Sequence, residues 1–315
     1  MLFAAHLVAV NLGAAGPLLS AWLCLRARRR RDHAVRGIAY GLAIASVGAA
    51  VLGMVLGGLL LLVHWYDSQS LFLRGMARIA PSRYINALVE IVFYFAMMAV
   101  YVGLWRRLEA KPLLQVIPAI LAGTDLLFHF PPLMVVIATV PCRADLSGAV
   151  IEGAIFRRLL VEPEVASRVV HSWLASLAVA GCATMVLAVR RADATEAAIR
   201  QRRALVRWGA GVALGATLLQ PFAGIWLLLH LRPVARYALL GGNGAGTALL
   251  AAGLAASLAL IHLLLGALLA SGGPRRVFQT ALTMLLVVGL MAATLHHVKR
   301  ISHTPGPSAT KPNGT

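Results

Sequence analysis

Read for polarity alone, the chain alternates long apolar runs with short polar connections. A membrane-crossing helix needs about 20 mostly apolar residues. Eight runs meet that length, at 1–25, 35–63, 85–105, 113–140, 168–189, 208–231, 244–270 and 277–296. No long polar stretch separates them, so residues 1–300 are predicted to form one all-α domain, a polytopic bundle of eight transmembrane helices. Residues 301–315 are rich in Pro, Gly, Ser and Thr and are expected to be a disordered polar tail. The first run lacks a basic leader and a small-residue cleavage site, so it reads as a retained first helix rather than a signal peptide.

Charge then orients the bundle. Arg26, Arg28, Arg29, Arg30, Arg31 and Arg36 follow the first run, and Arg106, Arg107 and Lys111 follow the third. Arg190, Arg191, Arg200, Arg202, Arg203 and Arg207 follow the fifth, and Arg275 and Arg276 the seventh. The alternate connections are longer yet poorer in basic residues, or carry Asp145, Glu152, Glu162 and Glu164. By the positive-inside bias the arginine-rich loops face the cytoplasm and both termini lie outside.

Composition agrees with a membrane class: 60% of residues are hydrophobic and 13% charged, about half the charge of an ordinary soluble domain. The net charge of +18 is spread in short runs between apolar segments. That pattern serves topology and contact with anionic membrane lipid, and it does not predict a nucleic-acid partner. Cys24, Cys142 and Cys182 make no framework, and no CxxC or CxxCH occurs.

Small residues and prolines predict helix contacts and bends. Gly53 and Gly57 form a GxxxG pair in the second segment, and Gly211 and Gly215 another in the sixth. Pro118, Pro131, Pro132 and Pro221 interrupt segments four and six, where freed carbonyls need partners inside the bundle.

Ionisable residues within a bilayer are costly and mark cavities, relays or cofactors. Here they are His6, Glu90, Asp125, His129, His171 and His262, with His64, His230, His296 and His297 at segment ends. In the predicted orientation all of these histidines but His262 fall toward the outer face. A layer of imidazoles from several helices suits one or more b-type haems, whose iron takes axial imidazole in an apolar slot. His171, one turn inside its run, and His6 are the leading iron ligands. For His64, His230 and His297 taken singly, an interfacial polar tip at headgroup level is the preferred reading. Glu90 stands as a hydrogen-bonded structural carboxyl, a proton relay or a haem-propionate partner. Asp125 precedes His129 by four residues, on the same helix face. It is expected either to orient that imidazole or to bond a neighbouring helix. No nucleotide-binding, zinc-protease or serine-hydrolase motif is present.

The segment Val169-Val170-His171 with Ala175-Ser176 and Gly181 resembles the fifth helix of subunit I of the cytochrome bd-type quinol oxidases. His6-Leu7, Val10 and Leu12-Gly13 resemble the first helix of that family. Leu88-Val89-Glu90, ending at Val102-Gly103-Leu104-Trp105-Arg106-Arg107-Leu108, resembles its third. The resemblance covers about half the chain. It implies that His171 binds a low-spin haem b, that His6 ligates a haem of the oxygen-reducing pair, and that Glu90 is the first of two membrane glutamates. It also implies the cytoplasmic membrane of a bacterial-type cell, quinone, and respiratory-complex subunits or a cytochrome c as partners.

Several family features have no counterpart. No methionine lies in 244–270 to serve as second axial ligand, and Met98 stands at the second glutamate position. The connection 232–243 is too short for the quinol-binding insertion. His296 and His297 replace the context of an eighth-helix glutamate, and a ninth helix has no equivalent. His129, His6 and Met291 are then the candidates for the second ligand of the His171 haem. The expectation is a haem b-containing electron-transfer protein of a respiratory chain that does not itself reduce oxygen, so its status as an oxidoreductase stays open. The rivals are a complete quinol oxidase subunit and a haem-free transporter or assembly scaffold built on the proline-broken fourth helix.

Overall fold

The computed structural model describes residues 1–67, 70–190, 195–270 and 273–301. The tail expected to be disordered, from 302 onward, lies outside the described residues. Among the described residues, eight helices are long and apolar enough to cross a membrane, and no β-strand occurs. They are α1 (Leu2–Arg29), α2 (His33–Tyr66), α3 (Pro81–Gly103) and α4 (Pro112–Thr139). The second half adds α5 (Pro163–Val189), α6 (Glu196–His230), α7 (Gly244–Leu269) and α8 (Pro274–Ile301). The protein is an all-α polytopic membrane bundle.

Helices α1 to α4 pack in a ring, as do α5 to α8, and the two rings meet mainly where α1 lies against α5. Ser176 Oγ on α5 donates to Asn11 Oδ1 on α1 at 2.9 Å inside this seam. Lipid supplies no hydrophobic drive between helices, so close approach of small residues has to hold such a seam. Gly13 faces Ala50, and Gly123 lies against Leu18 and the Ala14 carbonyl. Gly53 and Gly57 do seat α1, against Val10 and His6.

The sixth-segment pair behaves otherwise. Gly215 faces open space and Gly211 makes only an ordinary contact with Leu268. The close approach in α6 is instead Gly209, stacked backbone to backbone on Gly181 of α5. A GxxxG spacing places two glycines on one face but does not say which face meets a neighbour.

The prolines leave α1, α4 and α6 continuous. What they free is a carbonyl four residues back. Pro17 strips the intrahelical donor from Gly13, whose oxygen accepts from Tyr94 Oη at 2.9 Å. Pro131 does the same to Leu127, whose oxygen accepts from Trp173 Nε1 at 2.7 Å. Two orphaned carbonyls thus become interhelical bonds, α1 to α3 and α4 to α5.

The start of α1 and the end of α8 lie at the arginine-poor end, where His297 Nε2 meets Asn243 Oδ1 at 2.8 Å. Among the described residues, the connections at this end carry short helices. Short helices at Leu71–Met76 and Gly153–Val161 pack on α4 and α5. Ile79 and Ile151 bridge between them, with Ile137, Val140 and Phe156 in a small apolar core. Arg143 clamps Asp145 through two 2.8 Å bonds and also binds Glu162, closing the α4–α5 connection. The Arg143 guanidinium holds the Asp145 carboxyl down at about 2. At the other end α6 starts twelve residues before its apolar run, because Thr195 caps it and Glu196–Arg207 is helical though polar.

Candidate functional site

His171 stands nine residues into α5, in a helix begun by Pro163 at its first position and Glu164 in its first turn. The Gly181–Gly209 contact sets α5 tightly on α6, and the imidazole lies against the backbone of Gln220. Its Nδ1 is buried with no hydrogen-bond partner. A buried polar nitrogen without a partner is uncommon in a finished core.

One turn toward the arginine-poor end, Arg168 bonds Glu164 Oε1 at 2.6 Å and leaves its Nε buried and unpartnered. Arg232, bonded to the Cys142 carbonyl at 3.2 Å, approaches it from the α6–α7 connection. Arg168, Arg232 and Glu164 line a cavity of about 40 Å³. Two guanidiniums face one carboxylate there, so a second anionic group is electrostatically favoured. Sequence reading overlooked this pair, although Arg168 sits at i−3 from the singled-out histidine.

His6 is differently occupied. Its Nδ1 bonds the Gly53 carbonyl of α2 at 2.9 Å, and its ring presses on Gly57. His129 lies on α4 with Nδ1 at 3.0 Å from Asp125 Oδ1, the i to i+4 pairing the sequence allowed. Its Nε2 is 3.7 Å from Glu90 Oε1 on α3, a partner that spacing alone could not reveal. The donor atoms of Glu90, Asp125 and His129 all lie within 4.8 Å of one another. The Asp125 side chain is only 6% exposed and its Oδ2 has no partner, whereas His129 is 52% exposed on the flank of the bundle. The carboxylate thus sits at the inner end of a polar cluster open on its outer side.

The remaining candidates are scattered. Met291 packs its methyl on Gly253 of α7, 2.7 Å from where a side chain would begin. His296 is exposed, and His262 likewise. His64 pairs with Ser70 Oγ at 3.0 Å and stacks on Phe72. His230 bonds the Trp226 carbonyl of its own helix at 2.9 Å. His6 is therefore engaged with α2, His129 with α3, His171 with α6 and Met291 with α7. The structure keeps the imidazoles in separate helix pairs instead of gathering them around one slot.

Fold and polar groups together define a multi-pass membrane protein that, among the described residues, leaves buried polar atoms unpartnered at His171 and at Asp125. The chain matches no family model, no curated protein and no solved structure.

For a haem b at His171 the donor chemistry fits: an imidazole with an unpartnered nitrogen, and a cationic pair one turn away for a propionate. The second axial position is not supplied by His6, His129 or Met291 in the arrangement seen. The 40 Å³ beside Arg168 takes a carboxylate group and not a macrocycle.

Proposed function

We propose that this chain is an integral membrane electron-transfer protein of a respiratory chain that holds haem b through His171. One observation carries the reading: a buried imidazole nitrogen without a partner, one turn along α5 from an arginine whose buried Nε also lacks one. Neither group is explained by packing, since each leaves a desolvated polar atom unsatisfied, at a cost of about 1–3 kcal/mol. Bound there, haem b supplies a one-electron centre whose potential depends on its axial ligands and on the burial of its site. The residues of this chain bind and orient. His171 offers the imidazole, Arg168 and Arg232 offset a carboxylate, and the Gly181–Gly209 contact keeps α5 registered on α6. In this reading electrons pass between the quinone pool, or a membrane partner, and an external carrier such as a cytochrome c.

The test is a pyridine haemochrome spectrum of the detergent-purified protein, repeated on His171→Ala and His129→Ala. Haem b lost from the first variant and kept by the second is expected. Protein without a Soret band, or a His171→Ala variant with an unchanged reduced spectrum, overturns the reading.

A second reading has its own support. The Glu90–Asp125–His129 cluster joins a buried carboxylate to the flank of the bundle without any cofactor. A haem-free carrier moving protons or a small cation through α3 and α4 accounts for it. In that case the purified protein carries no haem, and flux into proteoliposomes is abolished by Asp125→Asn. A full quinol oxidase has weaker support, because buried Met98 occupies the second carboxylate position of α3 and His6 is committed to the Gly53 carbonyl.

A further inference from the structure

At the arginine-rich end a cavity of about 330 Å³ opens between the α1–α2 turn and the first turns of α6. Arg26 and Arg30 line one wall, Arg200 and Gln201 the other, with Asp32 between them and Leu205 at the apolar side. The single carboxylate in this wall is already committed. Asp32 Oδ1 accepts from the backbone nitrogens of Ala34 and Val35 at 3.1 and 3.0 Å, capping α2, and from the Gln201 side-chain amide. Arg200 has only a solvated partner, Glu196 at 3.4 Å, with both side chains more than two-thirds exposed. Such a pair contributes little. Arg26 and Arg30 make no ion pair among the described residues. Among the described residues three guanidiniums and one carboxylate line this space, so its wall carries a net positive charge.

The depth of the cavity says what meets it. At 1.5 Å per residue, the 28 residues of α1 extend about 42 Å and the 35 of α6 about 52 Å. A hydrocarbon core is about 30 Å thick. The polar start of α6 and the arginine end of α1 must project into the headgroup layer.

We propose that this cavity binds a phosphate group, that of an anionic lipid headgroup in the membrane leaflet at the arginine-rich end. Guanidiniums take phosphate oxygens in bidentate fashion, and a phosphate diester brings the charge this wall lacks. Bound, it joins the α1–α2 turn to α6. The lipid thus adds an ionic link between the two helical rings beside the Gln201–Asp32 hydrogen bond. This inference does not depend on haem.

The test uses the full chain, delipidated in detergent at constant ionic strength, with unfolding followed by a thiol-reactive fluorophore. Cys24 and Cys182 are buried and report it. Short-chain phosphatidylglycerol, short-chain phosphatidylcholine and inorganic phosphate are titrated separately. A saturable rise in melting temperature with phosphatidylglycerol, absent with the other two, is expected. Arg200→Gln should weaken that response about tenfold, the size of losing one charge-assisted bond to phosphate. Arg203→Gln, an exposed arginine outside the cavity, should leave it unchanged. Arg200 is itself exposed, so its variant is expected to fold; native mass spectrometry of retained phosphatidylglycerol gives a second readout on the same proteins. An equal response to phosphatidylcholine, or a phosphatidylglycerol response that survives Arg200→Gln, overturns the site. A response to inorganic phosphate alone overturns the lipid as its source.

Discussion

Replacing Gly181 by alanine should separate α5 from α6, with a cost that can be worked from the contact itself. The new Cβ would stand 2.8 Å from the Gly209 carbonyl oxygen and 2.9 Å from the Ala213 nitrogen. Both are backbone atoms of α6, so no side-chain rotation relieves the overlap. Ordinary contact begins near 3.4 Å, and the helices must move apart by roughly 0.6 Å. A gap of that size forfeits about a quarter to a half of each van der Waals well, itself about 0.1–0.2 kcal/mol. Over roughly 40 atom pairs along the seam the loss is about 1–4 kcal/mol, which brackets the usual cost of overpacking. Alanine recovers about 1 kcal/mol of helix propensity, which leaves a net destabilisation of about 0–3 kcal/mol, with a midpoint near 1.5 kcal/mol. The melting temperature, followed by dye access to the buried thiols, should fall by several degrees. Gly215→Ala is the control, because nothing lies within contact distance of Gly215. It should be neutral or slightly stabilising. If Gly181→Ala melts with the wild type, or Gly215→Ala is the more damaging, the assignment of the seam is wrong.

Three further outcomes follow from single contacts. Trp173→Phe should cost about 1–2 kcal/mol by leaving the Leu127 carbonyl unpaired, and much less in a Pro131→Ala background, where the helix supplies its own donor; a double-mutant cycle in detergent measures the coupling. Asp125→Asn should hold or raise the melting temperature, since a buried carboxylate with an unpartnered oxygen is retained for function at a cost in stability. A fall of several degrees would make Asp125 a structural residue. Asp145 has its folded pKa depressed to about 2, below its ordinary value, so the Arg143 clamp stabilises above the ordinary carboxylate range and loses that contribution as pH falls toward 2. The melting-temperature gap between wild type and Arg143→Gln should thus be flat near neutrality and close in strong acid; a gap that widens with acid contradicts the sign.

Polarity along the chain was enough for the eight helices and their alternation, because a backbone in lipid must satisfy its own hydrogen bonds and each crossing needs a long apolar run. The i to i+4 pairing of Asp125 with His129 was legible for a similar reason, being local to one helix. What lay beyond reach was azimuth, the direction each helix turns its face. Apolar residues cover these helices nearly all round, so no stripe says which glycine meets a neighbour. Gly181 with Gly209, and not Gly211 with Gly215, became the seam only when α5 and α6 were placed together. By the same rule Glu90 joined Asp125 and His129 through the packing of α3 on α4. His6, His129 and His171, similar in depth along the sequence, turned toward three different partners. Depth in the membrane is a one-dimensional property that composition encodes, whereas facing is decided by contacts between helices far apart in the chain.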